Sequence, residues 1–154
     1  MNGKRNGKGK EFDSFCILKF EGEFKNGERN GKGKEYNLKG DLIFVGEYLY
    51  GYKRKGRNYI QGKLEYEGEY LYEKKWNGKG FDNKGNIIYE LINGNGNIKE
   101  YYDNGKLRFE GEYLNGKRNK KGKEYDESGN LIYDGEFKNG KRNEERKEYN
   151  ENYI

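Results

Sequence analysis

Few residues in this chain could do chemistry. There is no histidine, a single cysteine (Cys16), and two serines, Ser14 and Ser128, each among loop residues with no base in reach. An activated nucleophile needs an adjacent general base or a depressed pKa, and nothing here supplies either. Glutamates come in close pairs, Glu21/Glu23 and Glu110/Glu112, as general acid and base would. The pair recurs in nearly every stretch of the same pattern, alternates with aromatics and is balanced by lysines, which reads as a solvated face. The glycine-rich NGKRNGKGK of residues 2–10 lacks both the strand–loop–helix setting and the spacing of a phosphate-cradling loop. This inventory predicts no enzyme, no cofactor and no metal.

The cations are more informative. Lys and Arg total 32 against 27 Asp and Glu, a formal charge of +5. The excess collects at Lys4-Arg5, Arg29 with Lys32, Lys53-Arg54-Lys55, Lys74-Lys75, Lys117-Arg118 with Lys120-Lys121, and Lys141-Arg142. Asp41, Asp82, Asp103 and Asp126-Glu127 fall between these groups. Cations in a regular row suit an anionic surface, each contributing about 1 kcal/mol near an anionic membrane. They also suit the plainer task of keeping an aromatic sheet soluble. Trp76, beside Lys74-Lys75, has the chemistry of an interfacial anchor and equally that of a ring packed on a neighbouring loop.

The elements that must position these residues repeat. The unit FEGEFKNGERNGKGKEYNLKG at 20–40 returns as FEGEYLNGKRNKKGKEYDESG at 109–129, and its first aromatic recurs at Phe20, Phe44, Tyr66, Tyr89, Phe109 and Tyr133. Spacings of 20 to 24 residues mark a repeat array. One array is predicted over 1–154, with a partial unit at 2–19 and a last half-unit at 139–149, capped by the polar Asn150-Glu151-Asn152. Within a unit, Leu18, Phe20, Gly22 and Phe24 alternate with Lys19, Glu21, Glu23 and Lys25, the period of a strand. Asn26 to Gly31 is expected to reverse the chain through a loop longer than the tight two-residue type, with Lys32–Tyr36 as the returning strand. The expected fold class is all-β, an elongated single-layer antiparallel meander of stacked hairpins. Alternate turns then lie on opposite edges, one basic and one more acidic. Gly22 and its equivalents should leave room for a neighbouring ring such as Tyr36. Leu91, which replaces that glycine in the fourth unit, signals a bend or a shorter hairpin.

Hydrophobic residues make up only 31% and charged residues 38%, poor material for a central core. Aromatics at fixed positions and 25 positioned glycines fit an array in which each unit buries its face on its neighbours. Proline is absent, as uninterrupted strands require. Cys16 reads as a small apolar filler within FCILKF. A lone cysteine and the lack of a long apolar run or leader predict a cytoplasmic protein, peripheral to a membrane at most.

The spacing aromatic-x-Gly-x-aromatic-x-x-Gly-x-x-x-Gly-x-Gly, met by Phe20, Gly22, Phe24, Gly27, Gly31 and Gly33, resembles the MORN repeat. Phe109, Gly111, Tyr113, Gly116 and Gly122 nearly meet it, and Phe44, Tyr66 and Tyr133 each open a partial match. The turns DNKGN and DESGNL resemble the variant of the repeat in bacterial antitoxin-like proteins. The resemblance implies a stack of β-hairpins serving as a scaffold or adaptor for a protein partner, with anionic-membrane or phosphoinositide contact through the basic loops as an added role. The alternative it implies is an antitoxin-like protein-binding module. End-to-end self-association is a weaker option, and nucleic acid is not an expected partner, because the rings read as structural rather than as a displayed stacking platform.

Overall fold

The computed structural model describes residues 3–144, which form thirteen antiparallel strands joined in sequence order and no helix. β1 (Gly7–Phe12), β2 (Leu18–Lys25), β3 (Glu28–Tyr36), β4 (Leu42–Leu49), β5 (Tyr52–Ile60), β6 (Lys63–Leu71), β7 (Lys74–Phe81) and β8 (Ile87–Leu91) make one sheet. β9 (Gly96–Tyr101), β10 (Leu107–Leu114), β11 (Lys117–Tyr125), β12 (Leu131–Lys138) and β13 (Lys141–Arg142) make a second. A single bridge, Ile92 to Asn95, closes the short hairpin between them. That break lies where Leu91 and Ile98 occupy the glycine positions. The expected cap at 150–152 and the end of the last half-unit, 145–149, lie outside the described residues.

The glycines form one row across each sheet. Gly9, Gly22, Gly33, Gly46, Gly56, Gly68 and Gly78 stand opposite one another in register, as do Gly111, Gly122 and Gly135. The ring that uses the space is not Tyr36, as expected from sequence. It is the aromatic two residues before Gly22, Gly46, Gly68, Gly111 and Gly135, and for the first four the same ring also covers the glycine opposite on the next strand. A Cβ on Gly22 would lie 2.7 Å from the Phe20 ring and 2.7 Å from Gly33 Cα. Tyr36 instead donates its hydroxyl to Glu21, 2.6 Å away. Phe20, Phe44, Tyr66 and Phe109 are fully buried, with Phe24, Tyr48 and Phe137 edge-on against them at centroid distances of 5.1 to 5.6 Å. Such T-shaped pairs suit the ring quadrupole.

The turns on one edge are tighter than predicted. Each has two residues: Asn26-Gly27, Tyr50-Gly51, Tyr72-Glu73, Asn93-Gly94, Asn115-Gly116 and Asn139-Gly140, all at positive φ. This is the type I′ geometry that matches strand twist. Apart from Lys4 and Arg5, which precede β1, the residues of the expected basic loops are therefore strand residues, and β3 starts at Glu28 rather than Lys32. Five turns on the other edge are longer. In four of them the side chain of Asp13, Asn37, Asp82 or Asp126 accepts backbone N–H bonds from residues two and four positions on. Their left-handed position holds Gly40, Gly85, Gly105 and Gly129, but in the first turn Cys16, at φ 60°. Cys16 is thus an exposed turn residue and not a filler within a strand.

Candidate functional site

The tight turn decides where the cations go. Phe24 pairs directly with Arg29 across the β2–β3 hairpin, so Arg29 shares the aromatic face. Its guanidinium lies 4.1 Å above the Phe20 ring and 5.6 Å from that of Tyr48. It bridges Glu11 at 2.9 Å and Glu35 at 2.7 Å. Glu35 also meets Lys53 at 3.3 Å and accepts the Tyr48 hydroxyl at 2.7 Å. Lys53 sits 4.7 Å over Phe44. The pattern resumes after the break: Arg118 covers Phe109 at 4.3 Å and pairs with Glu100 and with Glu124, at 3.2 Å for the latter, and Arg142 reaches Glu124 and Tyr133. Arg5 caps Phe24 in the same way at 4.6 Å. Burial works against the Arg29 and Arg118 charges, but the hydrogen bonds they donate to Glu11 and Glu100, together with the charges of those carboxylates and of Glu35 and Glu124, outweigh it and hold both guanidiniums above their ordinary value. The Arg29 hydrogen bond in turn holds the Glu11 carboxyl below its usual range.

The third unit adapts the scheme. Asn58 stands opposite Phe44 and Tyr66, where Glu11, Glu35, Glu100 and Glu124 stand in other units. The missing carboxylate comes from Glu65, where the β5–β6 register shifts. Glu65 is only 5% exposed, bonds Lys75 Nζ at 2.6 Å and accepts the Tyr89 hydroxyl at 2.8 Å. Sequence reading missed Glu65. Asn58, sitting where the repeat has glutamate, was the signal.

Six of the predicted anion-contact residues, Arg5, Arg29, Lys53, Lys75, Arg118 and Arg142, therefore form a cation roof over the rings. Lys32, Lys55 and Lys121 lie on the opposite face, across from Glu47, Glu69 and Glu136. There Lys and Glu alternate from strand to strand beside a trough floored by Gly9, Gly22, Gly33 and Gly46. The paired glutamates belong to this lattice. Glu21 accepts from Tyr36, Glu23 from the Lys32 N–H at 2.7 Å, and Glu110 from Tyr125 at 2.8 Å. Arg54 and Lys120 project at strand irregularities, 4.0 Å from Glu47 and 3.9 Å from Glu112. Lys4, Lys74, Lys117 and Lys141 flank the tight turns and enter no ion pair among the described residues. Trp76 lies against two stacked turns. A Cβ on Gly94 would be 2.7 Å from its ring, and its carbonyl accepts the Gly94 N–H at 2.8 Å.

The tight-turn edge carries a second feature that sequence reading passed over. Leu49, Tyr50, Tyr52, Leu71, Tyr72, Ile92 and Leu114 are all exposed along it. The Tyr52 and Tyr72 rings meet edge-on at 5.6 Å. Tyr-Gly and Tyr-Glu in the phase of Asn-Gly were the available sign.

A row of β-hairpins, with rings sealed by cations on one face and side chains displayed at the turns, defines an all-β repeat array. The chain carries MORN repeats: the model of the MORN repeat family, a non-catalytic repeat family, matches residues 1–14, 20–41, 109–131 and 133–144. No curated protein matches the chain. MORN repeats are protein- and membrane-interaction repeats.

Proposed function

We propose that this array is a rigid adaptor that holds a protein partner. One observation carries the reading: the side chains displayed by the hairpins, rather than any enclosed constellation, are the part of the molecule left available for chemistry with another molecule. Aromatic and leucine side chains exposed together on one edge are the residue types that anchor protein interfaces. An antitoxin-like module gripping one protein is a special case of the same reading, and a cytoplasmic location suits both.

Contact with an anionic membrane is a second reading, supported by Lys74, Lys117 and Lys141 beside the tight turns. It does not draw on Arg118, which is occupied by Phe109, Glu100 and Glu124. Replacing Arg118 would open the aromatic layer and confuse the test. The clean variant is K74S/K117S/K141S. Co-sedimentation with phosphatidylserine vesicles at low and physiological salt, run beside affinity purification of protein partners, separates the readings. A stoichiometric protein partner retained at physiological salt supports the adaptor. Its absence, together with vesicle binding abolished in the triple variant, would replace the adaptor reading with the membrane one.

A further inference from the structure

The six tight turns of this edge are built alike, yet two break their own rule; on the opposite edge the two-residue turn Gln61-Gly62 also holds a longer side chain at positive φ, 49°. Both turn residues need positive φ, and Asn precedes Gly in four of them: Asn26, Asn93, Asn115 and Asn139. Asn tolerates the left-handed region because its short amide bonds locally. In the β4–β5 turn the position is Tyr50, at φ 51°, and in the neighbouring β6–β7 turn it is Tyr72, at φ 47°. Glu73 at φ 66° then replaces the glycine as well. A bulky residue held there is strained, and strain that a fold retains against an easy alternative points to use.

The fold buries neither tyrosine, although the Tyr72 ring meets Tyr52 edge-on. Tyr50 is 70% exposed and Tyr72 69%. They stand on adjacent turns, flanked by Leu49, Tyr52 and Leu71, which are also exposed. The stripe continues through Ile92 and Leu114 on the next two turns, which lie about 10 Å apart in the strand-stacking direction. Apart from Leu114, these residues sit between 42 and 108, the stretch where the repeat pattern is least regular. Beyond them the same edge turns basic. Lys74 follows the Tyr72-Glu73 turn, the next turn is flanked by Ile92 and Asn95, and Lys117, Lys138 and Lys141 flank the two after it, with no acid among the turn residues after Glu73. Glu73 itself is tied down, accepting the Lys53 N–H at 2.7 Å with Lys53 Nζ at 3.8 Å.

We propose that this edge is the docking surface for an acidic amphipathic protein segment. Its apolar side chains meet the Tyr50–Tyr72 ridge and its carboxylates run on toward Lys117 and Lys141. The inference rests on the adaptor reading and gives the partner its chemistry. The apolar ridge and the lysines lie end to end along one edge of a one-layer sheet, a line that a protein segment carrying both kinds of side chain matches.

The test variant is Y50N/Y72N, which restores the residue of the other four turns and so keeps the hairpins folded. The probes are labelled peptides of about fifteen residues. One is amphipathic with Leu and Phe against Asp, one has Lys in place of every Asp, and one is scrambled. Phosphatidylserine vesicles are a further arm. The expected result is binding of the Asp peptide alone, hydrogen-exchange protection at 49–52 and 71–74, and an affinity at least about tenfold lower for Y50N/Y72N. No binding of the Asp peptide, equal binding of the Lys or scrambled peptide, or undiminished binding by the variant overturns the proposal. So does tyrosine-dependent binding to the vesicles in place of the peptide, which would assign the ridge to a membrane. In affinity purification, a partner kept equally by wild type and variant overturns this placement and leaves the adaptor standing. A wild-type array that keeps no partner overturns the adaptor as well.

Discussion

Replacing Gly22 by alanine tests the physical basis of the array. The new Cβ would lie 2.5 Å from the Lys32 carbonyl oxygen, 2.7 Å from Gly33 Cα and 2.7 Å from Phe20 Cζ. Two of these three atoms are backbone of the paired strand and cannot swing aside. The third belongs to a fully buried ring held edge-on by Phe24 and Tyr48. Overpacking a tight site costs about 1–3 kcal/mol, and the backbone clashes place G22A in the upper half, about 2–3 kcal/mol. In a repeat array stability is a sum over neighbouring units, so a single unfolding midpoint can hide the effect. Hydrogen exchange resolves it locally. Protection in β2 and β3 should fall about 30- to 150-fold, at 1.4 kcal/mol per factor of ten, while β10–β12 stay unchanged. Gly40 is the control. It sits at φ +83° with nothing near its Cβ position, so G40A carries only the backbone penalty, about 1 kcal/mol. Adding F20L to G22A should recover part of the loss and not all, because the Lys32 oxygen and Gly33 Cα remain. A G22A protein within about threefold of wild-type protection, or no worse than G40A, would refute the claim that the glycine row exists for close backbone and ring approach.

Two further predictions concern the long-turn edge and pH. Cys16→Gly should stabilise the first long turn by about 0.5–1 kcal/mol, the relief of a left-handed non-glycine residue less glycine's greater freedom in the unfolded chain; thermal unfolding and local exchange at 13–17 report it, and a loss of stability would contradict the turn geometry. Alkaline pH should loosen the array. Its hydrogen bond to Glu21 pushes the Tyr36 hydroxyl up to about 12. Burial pushes Tyr48, Tyr66, Tyr70, Tyr89 and Tyr113 upward as well, with Glu35, Glu65 and Glu100 adding to it at Tyr48, Tyr89 and Tyr113. A group that holds its proton more tightly when folded contributes stability in full below its unfolded value, here 10, and loses it as pH climbs toward the folded value. Denaturant midpoints should therefore hold from neutrality to about pH 10 and then fall, with phenolate absorbance rising as the fold opens. A midpoint that stays level through about pH 11 contradicts the buried tyrosine network.

Much of this architecture was legible in the sequence, because the signals that carry it are periodic. Alternation of Phe20, Gly22 and Phe24 with acids specifies strands, two turns per unit specify a meander, and the recurring aromatic sets the spacing. What was misread lay where two signals competed. Lys, Arg, Asn and Gly after Phe24 look like a loop by composition, yet Asn26-Gly27 alone is the strongest short hairpin signal. Taking the turn there moves Arg29 from an edge to the aromatic face and changes its chemistry from anion contact to ring cover. Cys16 was misplaced for a similar reason. Its apolar neighbours suggest a strand, whereas aligning Asp13-x-x-Cys16 with Asn37-x-x-Gly40 shows a turn. Glu65 is signalled only indirectly, by Asn58 on the facing strand standing where the repeat has glutamate.

The same geometry explains where an array of this kind is free to acquire a partner. Within each unit the glycine is committed to close approach, the first aromatic to the buried layer, the strand cation to roofing it and the glutamates to pairing that cation or the lattice behind. A one-layer sheet has no second layer to hide its rings, so it spends Arg29, Lys53 and Arg118 on that task, and a count of cations overstates what is left for an anionic surface. Changing any of these positions disturbs two neighbouring strands at once. The tips of the tight turns are different: their backbone is tied to the neighbouring turn, as Gly51 N–H is to the Arg29 carbonyl, but the side chain of the first turn residue can project outward, as those of Tyr50 and Tyr72 do. Asn-Gly is the unstrained choice, so each departure from it costs conformational energy, offset in part where Tyr72 meets Tyr52 and Glu73 holds Lys53. Tyr50 and Tyr72 are such departures, on adjacent hairpins and surrounded by exposed leucines, and this is why the specificity of this array is assigned to the edge rather than to either face.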